Sequence, residues 1–135
     1  MSRKGATKMK ASQRPLFWVI FPFFLVGFNP YDICPDEVSE VKRIAPKYNA
    51  EVEVRLWDLT RVDMLTKEYA IEVDWAPKWA EGIGQALYYA QVTGKKPGVI
   101  LLIKDIKKEA RFVYRLQIVA AKYDIKVWLE KVEDD

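Results

Sequence analysis

The chain has 135 residues, half of them hydrophobic and 30% charged, which is the composition of a folded globular protein rather than a disordered one. It contains no histidine, which excludes a histidine general base and histidine-ligated metal sites. Cys34 is the only cysteine, so the chain cannot form an internal disulfide and an unpaired thiol is expected.

The net charge of +3 is unevenly distributed along the chain. Residues 1–35 contain five basic residues and one acidic residue, whereas the other 100 residues contain 17 basic and 18 acidic residues. We therefore divide the chain into a basic and hydrophobic N-terminal segment, residues 1–35, and a single domain, residues 36–135. A domain so close to neutral attracts a polyanion only through local clusters of charge.

The N-terminal segment has the outline of an export signal. Its basic residues precede thirteen residues, 16–28, that carry no charge. This run is shorter than the roughly 20 residues needed to span a bilayer, and no small-x-small cleavage site follows it. Two interpretations stay open: an exported or membrane-tethered protein, or a cytoplasmic one whose extension packs on the domain or associates weakly with a membrane.

A helix and an antiparallel meander are the first elements predicted after this segment. Acidic residues in a first turn and apolar residues at helical spacing predict a helix from about residue 36 that ends at Pro46 or Asn49. Alternating apolar residues then predict three strands joined by tight turns. These strands cover residues 51–57, 61–65 and 70–75.

The second half of the domain is predicted to alternate helices and strands. A continuous apolar run indicates a strand that is covered on both faces and lies inside a sheet. The predicted elements are a helix from Pro77 to about Thr93, ended by Gly94 and Pro97, the buried strand Gly98–Ile103, a basic helix from about Lys107 to Tyr123, and a strand from Ile125 to Val132. The order α-β-β-β-α-β-α-β predicts an α/β (α+β) fold with a mixed sheet.

Three carboxylates are predicted to share one side of the meander. Glu72 and Asp74 are two residues apart in the third strand, so both point away from the face of Ile71 and Val73. Asp63 in the preceding strand points to the same polar side. Converging oxygen ligands suit Mg²⁺ or Mn²⁺, but charged residues also alternate on any solvent-facing sheet surface.

A polar stripe is predicted on the helix that follows the acidic strand. At about 100° per residue, Lys78, Gln85 and Tyr89 share one side of the helix with Gly82. A lysine can stabilise charge on a phosphate, and an amide or a phenol can bind a phosphate or an ordered water. A packing role for the Tyr89 ring is the alternative.

These residues carry a resemblance to a known family. Asp63, then Glu72-Val73-Asp74 after eight residues, then Gln85-Ala86-Leu87-Tyr88-Tyr89, in this order of elements, resembles the PD-(D/E)XK nuclease superfamily. The helix segment is similar to the QxxxY motif of its RecB-like and restriction-endonuclease-like branches. The resemblance covers about residues 36 to 104. It implies an αβββαβ core of the restriction-endonuclease type, followed here by an α-β extension.

The resemblance also implies roles for individual residues. Asp63 and Glu72 match the metal ligands, but Asp74 stands where the superfamily has a lysine that assists the nucleophile. A lysine moved to the next element is a known variation in the superfamily, and Lys78 fits it. Asp74 would then assist the metal or a water, beside Gln85 and Tyr89. An optional further ligand comes from the first helix, Glu37 or Glu40, although a solvated position is the simpler interpretation for either.

A basic stretch of about twenty residues could contact a phosphate backbone. Seven basic residues stand there against Asp105 and Glu109, and a solvated helix face is the alternative interpretation. The seven are Lys95, Lys96, Lys104, Lys107, Lys108, Arg111 and Arg115.

We therefore expect a nuclease that uses Mg²⁺ or Mn²⁺ to hydrolyse phosphodiester bonds, with DNA as the expected nucleic acid. The absence of a lysine at position 74 favours an alternative, a catalytically inactive relative that binds nucleic acid or protein. Residues 1–28 favour a third, a structural α/β protein of the cell envelope.

Overall fold

The computed structural model describes residues 36–132. The N-terminal segment, with Cys34, lies outside the described residues, so the predictions made for it stay predictions. The elements are α1 (Glu37–Tyr48), β1 (Glu51–Arg55), β2 (Arg61–Leu65), β3 (Tyr69–Trp75), a 3₁₀ turn (Ala76–Lys78), α2 (Trp79–Thr93), β4 (Lys96–Ile103), α3 (Ile106–Tyr123) and β5 (Lys126–Lys131).

The protein has a mixed α/β fold built on a five-stranded mixed sheet in the order β1-β2-β3-β4-β5. The first three strands pair antiparallel, as a meander with short turns. Strands β3, β4 and β5 pair parallel, and parallel neighbours need long crossovers, which α2 and α3 provide. The predicted order of elements and the interior position of β4 are confirmed.

Helices cover both faces of the sheet. Helix α1 packs on one face over a core that includes Ile71, Val73 and Ile100. Helices α2 and α3 pack on the other face, over Val99 and Leu101. Alternate residues of β4 therefore enter different cores, which explains its uninterrupted apolar sequence.

Several predicted boundaries shift. Helix α1 runs through Pro46 to Tyr48, so of its two predicted ends the one at Asn49, whose φ of 50° is left-handed, is confirmed. Strand β1 ends at Arg55, two residues early. The predicted start of the second helix at Pro77 is wrong, because a 3₁₀ turn covers that residue and α2 begins at Trp79. Its end at Gly94, with φ 68°, is as predicted.

In the last strand, the buried residues are not the ones predicted from the sequence. Leu129 is exposed and Glu130 is buried, the reverse of what the apolar alternation along this strand indicates. Glu130 turns inward because α1 supplies partners for it: Lys47 Nζ lies 2.5 Å from its Oε1, and the Tyr48 hydroxyl donates a hydrogen bond to the same oxygen. Within residues 36–132, no helix is long and apolar enough to cross a membrane.

Candidate functional site

The site begins where the β2–β3 ladder stops. Met64 pairs with Ile71 and Leu65 with Ala70, and the same register continued by one residue places Asp63 opposite Glu72. At this point a side chain takes the place of a backbone acceptor: Asp63 Oδ2 accepts a hydrogen bond of 2.9 Å from the Val73 backbone N–H. Asp63 is thereby fixed against the strand that carries the other two carboxylates.

Glu72 and Asp74 are buried. They are 6% and 3% exposed, because α2 covers this part of β3, so the interpretation of a solvent-facing sheet surface is wrong here. Glu72 Oε2 and Asp74 Oδ2 have no hydrogen-bond partner in the structure. Buried carboxylate oxygens without partners are costly to a fold, which makes these two atoms the feature of the described chain that most needs a ligand.

The pKa values of the three carboxylic acids reflect the cost of burying them. Burial raises the pKa of Glu72 to about 9, with repulsion from Asp63 and Asp74 adding to it. Burial raises the pKa of Asp74 to about 7, with Glu37 adding and Lys78 opposing. Burial also raises the pKa of Asp63 to about 6, against the hydrogen bond from Val73. Without a cation, the cluster therefore holds protons at neutral pH.

Helix α2 approaches the cluster closely at Gly82. A Cβ built on this residue would lie 2.9 Å from Asp74 Oδ2 and 3.5 Å from Val99 Cγ1. No side chain fits there unless the Asp74 carboxylate moves. Gly82 belongs to the predicted polar stripe, but its importance was missed; the signal available was a glycine one turn after Lys78.

Lys78 ends the 3₁₀ turn on the side of the carboxylates. Its Nζ lies 3.9 Å from Asp74 Oδ1 and 3.5 Å from Glu37 Oε2. Partial burial lowers the pKa of Lys78, but the neighbouring carboxylates Glu37 and Asp74 outweigh it and the net pKa is raised. A charged ammonium group that is half exposed at the edge of the cluster can contact a ligand arriving from solvent.

Tyr89 lies near the cluster, and Gln85 lies beside Tyr89. Burial raises the pKa of the Tyr89 hydroxyl, with added repulsion from Glu72 and Asp63 and an opposing hydrogen bond from Gln85. Tyr89 is buried, and its ring packs with Val62 and Ala70. The packing role and the position facing the carboxylates therefore coexist in one residue.

The two glutamates of α1 occupy different environments. Glu37 is near enough to the cluster to raise the pKa of Asp63, Glu72 and Asp74. Glu40 is buried and paired with Arg43 at 2.6 Å, so a solvated position is wrong for it. Glu37 is thus the α1 residue that the structure brings to the site.

The seven basic residues do not form one surface. Lys96 starts β4 opposite Tyr69, and Lys104 follows the end of this strand, a separation of about 26 Å along the extended chain. Lys95 binds the Lys67 carbonyl and Lys96 pairs with Glu68 at 2.7 Å. The carboxylates lie towards the other end, where Asp74 is level with Leu101. The residues at that end or along α3 are Lys104, Lys107, Lys108, Arg111 and Arg115.

The donor set fits a hard divalent cation in its chemistry. Mg²⁺ and Mn²⁺ prefer carboxylate oxygens, and two buried carboxylate oxygens without partners lie here beside a third carboxylate. In the described range 36–132, no group of three His, Cys, Asp or Glu side chains is arranged so that it could hold a metal ion, so at most two carboxylates of the cluster are placed to bind one cation. Remaining ligands would be water or substrate oxygens, as is usual for Mg²⁺.

Comparison of the chain with protein families, with curated proteins and with solved structures finds no match.

Proposed function

We propose that this protein hydrolyses phosphodiester bonds of nucleic acid with the help of Mg²⁺ or Mn²⁺, and that its fold is of the restriction-endonuclease type. The observation that carries the proposal is the pair of unpartnered, buried oxygens, Glu72 Oε2 and Asp74 Oδ2. They lie beside Asp63, and the Lys78 ammonium is 3.9 Å from the other carboxylate oxygen of Asp74, Oδ1. A protein maintains such an arrangement at a cost in stability, and function is the ordinary reason for doing so.

The residues divide the chemistry among themselves. Two of the three carboxylates Asp63, Glu72 and Asp74, together with water or substrate oxygens, would hold the cation, which would lower the pKa of a bound water and neutralise charge on the phosphate. Lys78 would contact the phosphate from the solvent side and stabilise the charge that develops on it. Gln85 and Tyr89 would orient the waters or the phosphate at the rear of the site. The meander, the crossover helix and the parallel fourth strand support the proposed fold type.

Cleavage of labelled DNA in millimolar Mg²⁺ tests the reaction. We expect cutting by the full chain, loss of cutting with a chelator, and loss in Asp63→Asn. The matched control is Lys67→Ala, an exposed lysine in the turn before β3, which should cut like the wild type. Cutting that persists in Asp63→Asn would assign the activity to a contaminant and contradict the proposal.

Metal binding is tested separately by thermal unfolding. A cation that binds the folded state raises its stability by mass action, by about 1.4 kcal/mol at ten times the dissociation constant. We expect Mn²⁺ or Mg²⁺ to raise the melting temperature of the wild type by several degrees. The double variant Asp63→Ala plus Glu72→Ala should show no such shift, and an equal shift in both proteins would remove the site.

A second candidate function is a binding module without catalysis, favoured by the aspartate at position 74. In that case nucleic acid or a protein would bind with or without chelator, and no cutting would be seen even in millimolar Mg²⁺. A metal-dependent thermal shift without cutting would favour this candidate over the nuclease.

A further inference from the structure

The turn between β1 and β2 carries exposed apolar side chains where a turn normally carries polar ones. We name residues 55–61 the hairpin tip. Trp57 is 83% exposed and Leu59 is 71% exposed. Leu59 also has a φ of 71°, the left-handed conformation that hairpin turns usually give to glycine or asparagine. Two large apolar side chains exposed on one turn indicate a surface that binds another molecule.

The hairpin tip is firmly held. The Leu59 N–H donates to the Leu56 carbonyl at 3.1 Å and the Leu56 N–H to the Thr60 carbonyl at 2.9 Å, which closes the turn. The Asp58 carboxylate accepts hydrogen bonds from Thr60 and from the Tyr88 hydroxyl on α2. The Leu56 side chain packs against the core that contains Tyr89. Trp57 is therefore presented on a fixed scaffold, which lowers the entropic cost of binding through it.

Two arginines lie at the base of the turn that carries Trp57. Arg55 and Arg61 face each other across the hairpin and line, with Leu59, a pocket of about 480 Å³. Arg61 pairs with Glu53 at 2.7 Å but stays 59% exposed, and among the described residues Arg55 forms no ion pair. Arginine side chains beside an exposed aromatic ring suit phosphates beside a base.

The hairpin tip lies next to the carboxylates. Arg61 precedes Asp63 by two residues on β2, and Trp57 lies two residues beyond the last pair, Arg55 with Arg61. At about 3.3 Å per extended residue, these four steps place the Trp57 backbone within about 13 Å of Asp63 along the hairpin. A few nucleotides cover that distance, since one strand of a duplex advances about 3.4 Å per nucleotide and more when unstacked.

We propose that the hairpin tip binds nucleic acid by stacking an unpaired base on Trp57, with Arg55 and Arg61 on the neighbouring phosphates. The ligand class rests on the proposed function, because the strand would lead from the tip to the carboxylates. Stacking on an aromatic side chain needs an open base face, which bases inside a duplex lack. The substrate strand is therefore single-stranded, or has unpaired bases, beside the phosphate that is cut.

The test measures binding and cutting separately. Affinity of the full chain for labelled oligodeoxythymidine and for a blunt duplex of the same length is measured by fluorescence anisotropy in chelator. We expect Trp57→Ala to weaken single-strand binding about 5- to 160-fold, the range for losing one stacked base, with little change for the duplex. Trp57→Phe should keep most of the affinity. Tyr114→Ala, which removes an aromatic ring that is 66% exposed on α3, is the matched control.

The arginines give a second, independent readout. Arg55→Ala should weaken binding of both oligonucleotides and reduce the slope of log affinity against log salt by about one, since one phosphate contact is lost. All variants should melt within a few degrees of the wild type, because the altered side chains are exposed.

Each outcome is decisive. Equal single-strand affinity in wild type and Trp57→Ala overturns the inference, whether or not the protein cuts DNA. A selective loss of single-strand affinity in a protein that never cuts supports it while contradicting the nuclease. Self-association of the wild type that Trp57→Ala abolishes, without any change in oligonucleotide affinity, overturns it in favour of a protein-docking surface.

Discussion

Glu130 on β5 and Glu72 on β3 are both buried, but burial has opposite results in these two regions. At β5, burial acts to raise the pKa of Glu130, but hydrogen bonds from Lys47 and Tyr48 outweigh it and hold that pKa below its ordinary value. At β3, burial raises the pKa of Glu72 to about 9, and neighbouring carboxylates add to the rise. The first region supplies donors from an adjacent helix, and the second supplies mostly further acids.

The difference separates a structural acid from a candidate ligand-binding acid. Glu130 joins β5 to α1, and its oxygen is satisfied by groups of the protein itself. Glu72 and Asp74 each leave an oxygen without a partner. Helix α2 approaches Asp74 so closely at Gly82 that no side chain fits there unless the carboxylate moves, so this position supplies no side-chain donor to Asp74 Oδ2.

The largest expected effect is the pH dependence of stability without metal. Asp63, Asp74 and Glu72 have pKa values raised to about 6, 7 and 9, so the folded state binds protons that the unfolded state has released. The contribution of this cluster to stability is then fully present below about pH 4 and is lost as the pH rises towards about 9, by several kcal/mol. Glu37 and Glu81 strengthen this trend and Lys78 opposes it.

Urea unfolding in chelator across this pH range measures the trend. Glu130 has a lowered pKa, so its contribution has the opposite sign and is lost as the pH falls. Millimolar Mn²⁺ should restore the stability lost at high pH. A free energy of unfolding that rises from about pH 5 to about pH 9 would contradict the raised pKa values.

Removing the Lys78 ammonium group beside the cluster is expected to lower the rate of cleavage. Lys78→Ala should keep the fold and the metal-dependent thermal shift but lower cleavage about a hundredfold or more, the scale for losing a preorganised charge at a reacting centre. Initial cleavage rates measure it, with Lys67→Ala as the control. Cleavage that survives Lys78→Ala but is lost in Asp74→Asn would show that a third carboxylate has the role assigned to the lysine.

Much of this site could be predicted because strand alternation is local. Asp63, Glu72 and Asp74 fall on one side of a hairpin whatever the rest of the chain does, and Lys78 follows the acidic strand directly. Whether that side is wet or dry depends on where α2 packs, and this is a tertiary property. The alternation of polar and apolar residues therefore identified the cluster but not its burial.

Other failures have equally physical causes. The basic residues are close in sequence, but β4 is an extended strand that carries Lys96 and Lys104 to opposite ends of the sheet. Glu130 faces inward because Lys47 and Tyr48, more than 80 residues earlier in the chain, donate hydrogen bonds to its carboxylate. Contacts over such separations leave no signal in local periodicity.

Removing the acid in each region should change stability in opposite directions. At about pH 8, Glu72→Gln replaces a buried acid that is repelled by its neighbours with an amide that can donate a hydrogen bond to Asp63 or Asp74. We expect the free energy of unfolding to rise by about 1 to 2 kcal/mol. Glu130→Gln loses charge-assisted bonds to Lys47 and Tyr48, and we expect a loss of similar size. Urea unfolding in chelator measures both, and changes of the same sign would remove the distinction between the regions.

The smallest expected effect compares two glycines of α2. Gly84 is exposed, and a Cβ there meets nothing within 4 Å, so Gly84→Ala should stabilise the helix by up to about 1 kcal/mol. Gly82→Ala gains the same helix propensity but brings a methyl group to 2.9 Å from Asp74 Oδ2. The carboxylate is 3% exposed and has little room to move, so we expect the gain to be cancelled or reversed. The displaced carboxylate should also reduce the metal-dependent thermal shift, which Gly84→Ala should leave intact. A Gly82→Ala protein that matches Gly84→Ala in melting temperature, metal response and cleavage would show that the close approach of α2 to Asp74 is not needed by the site.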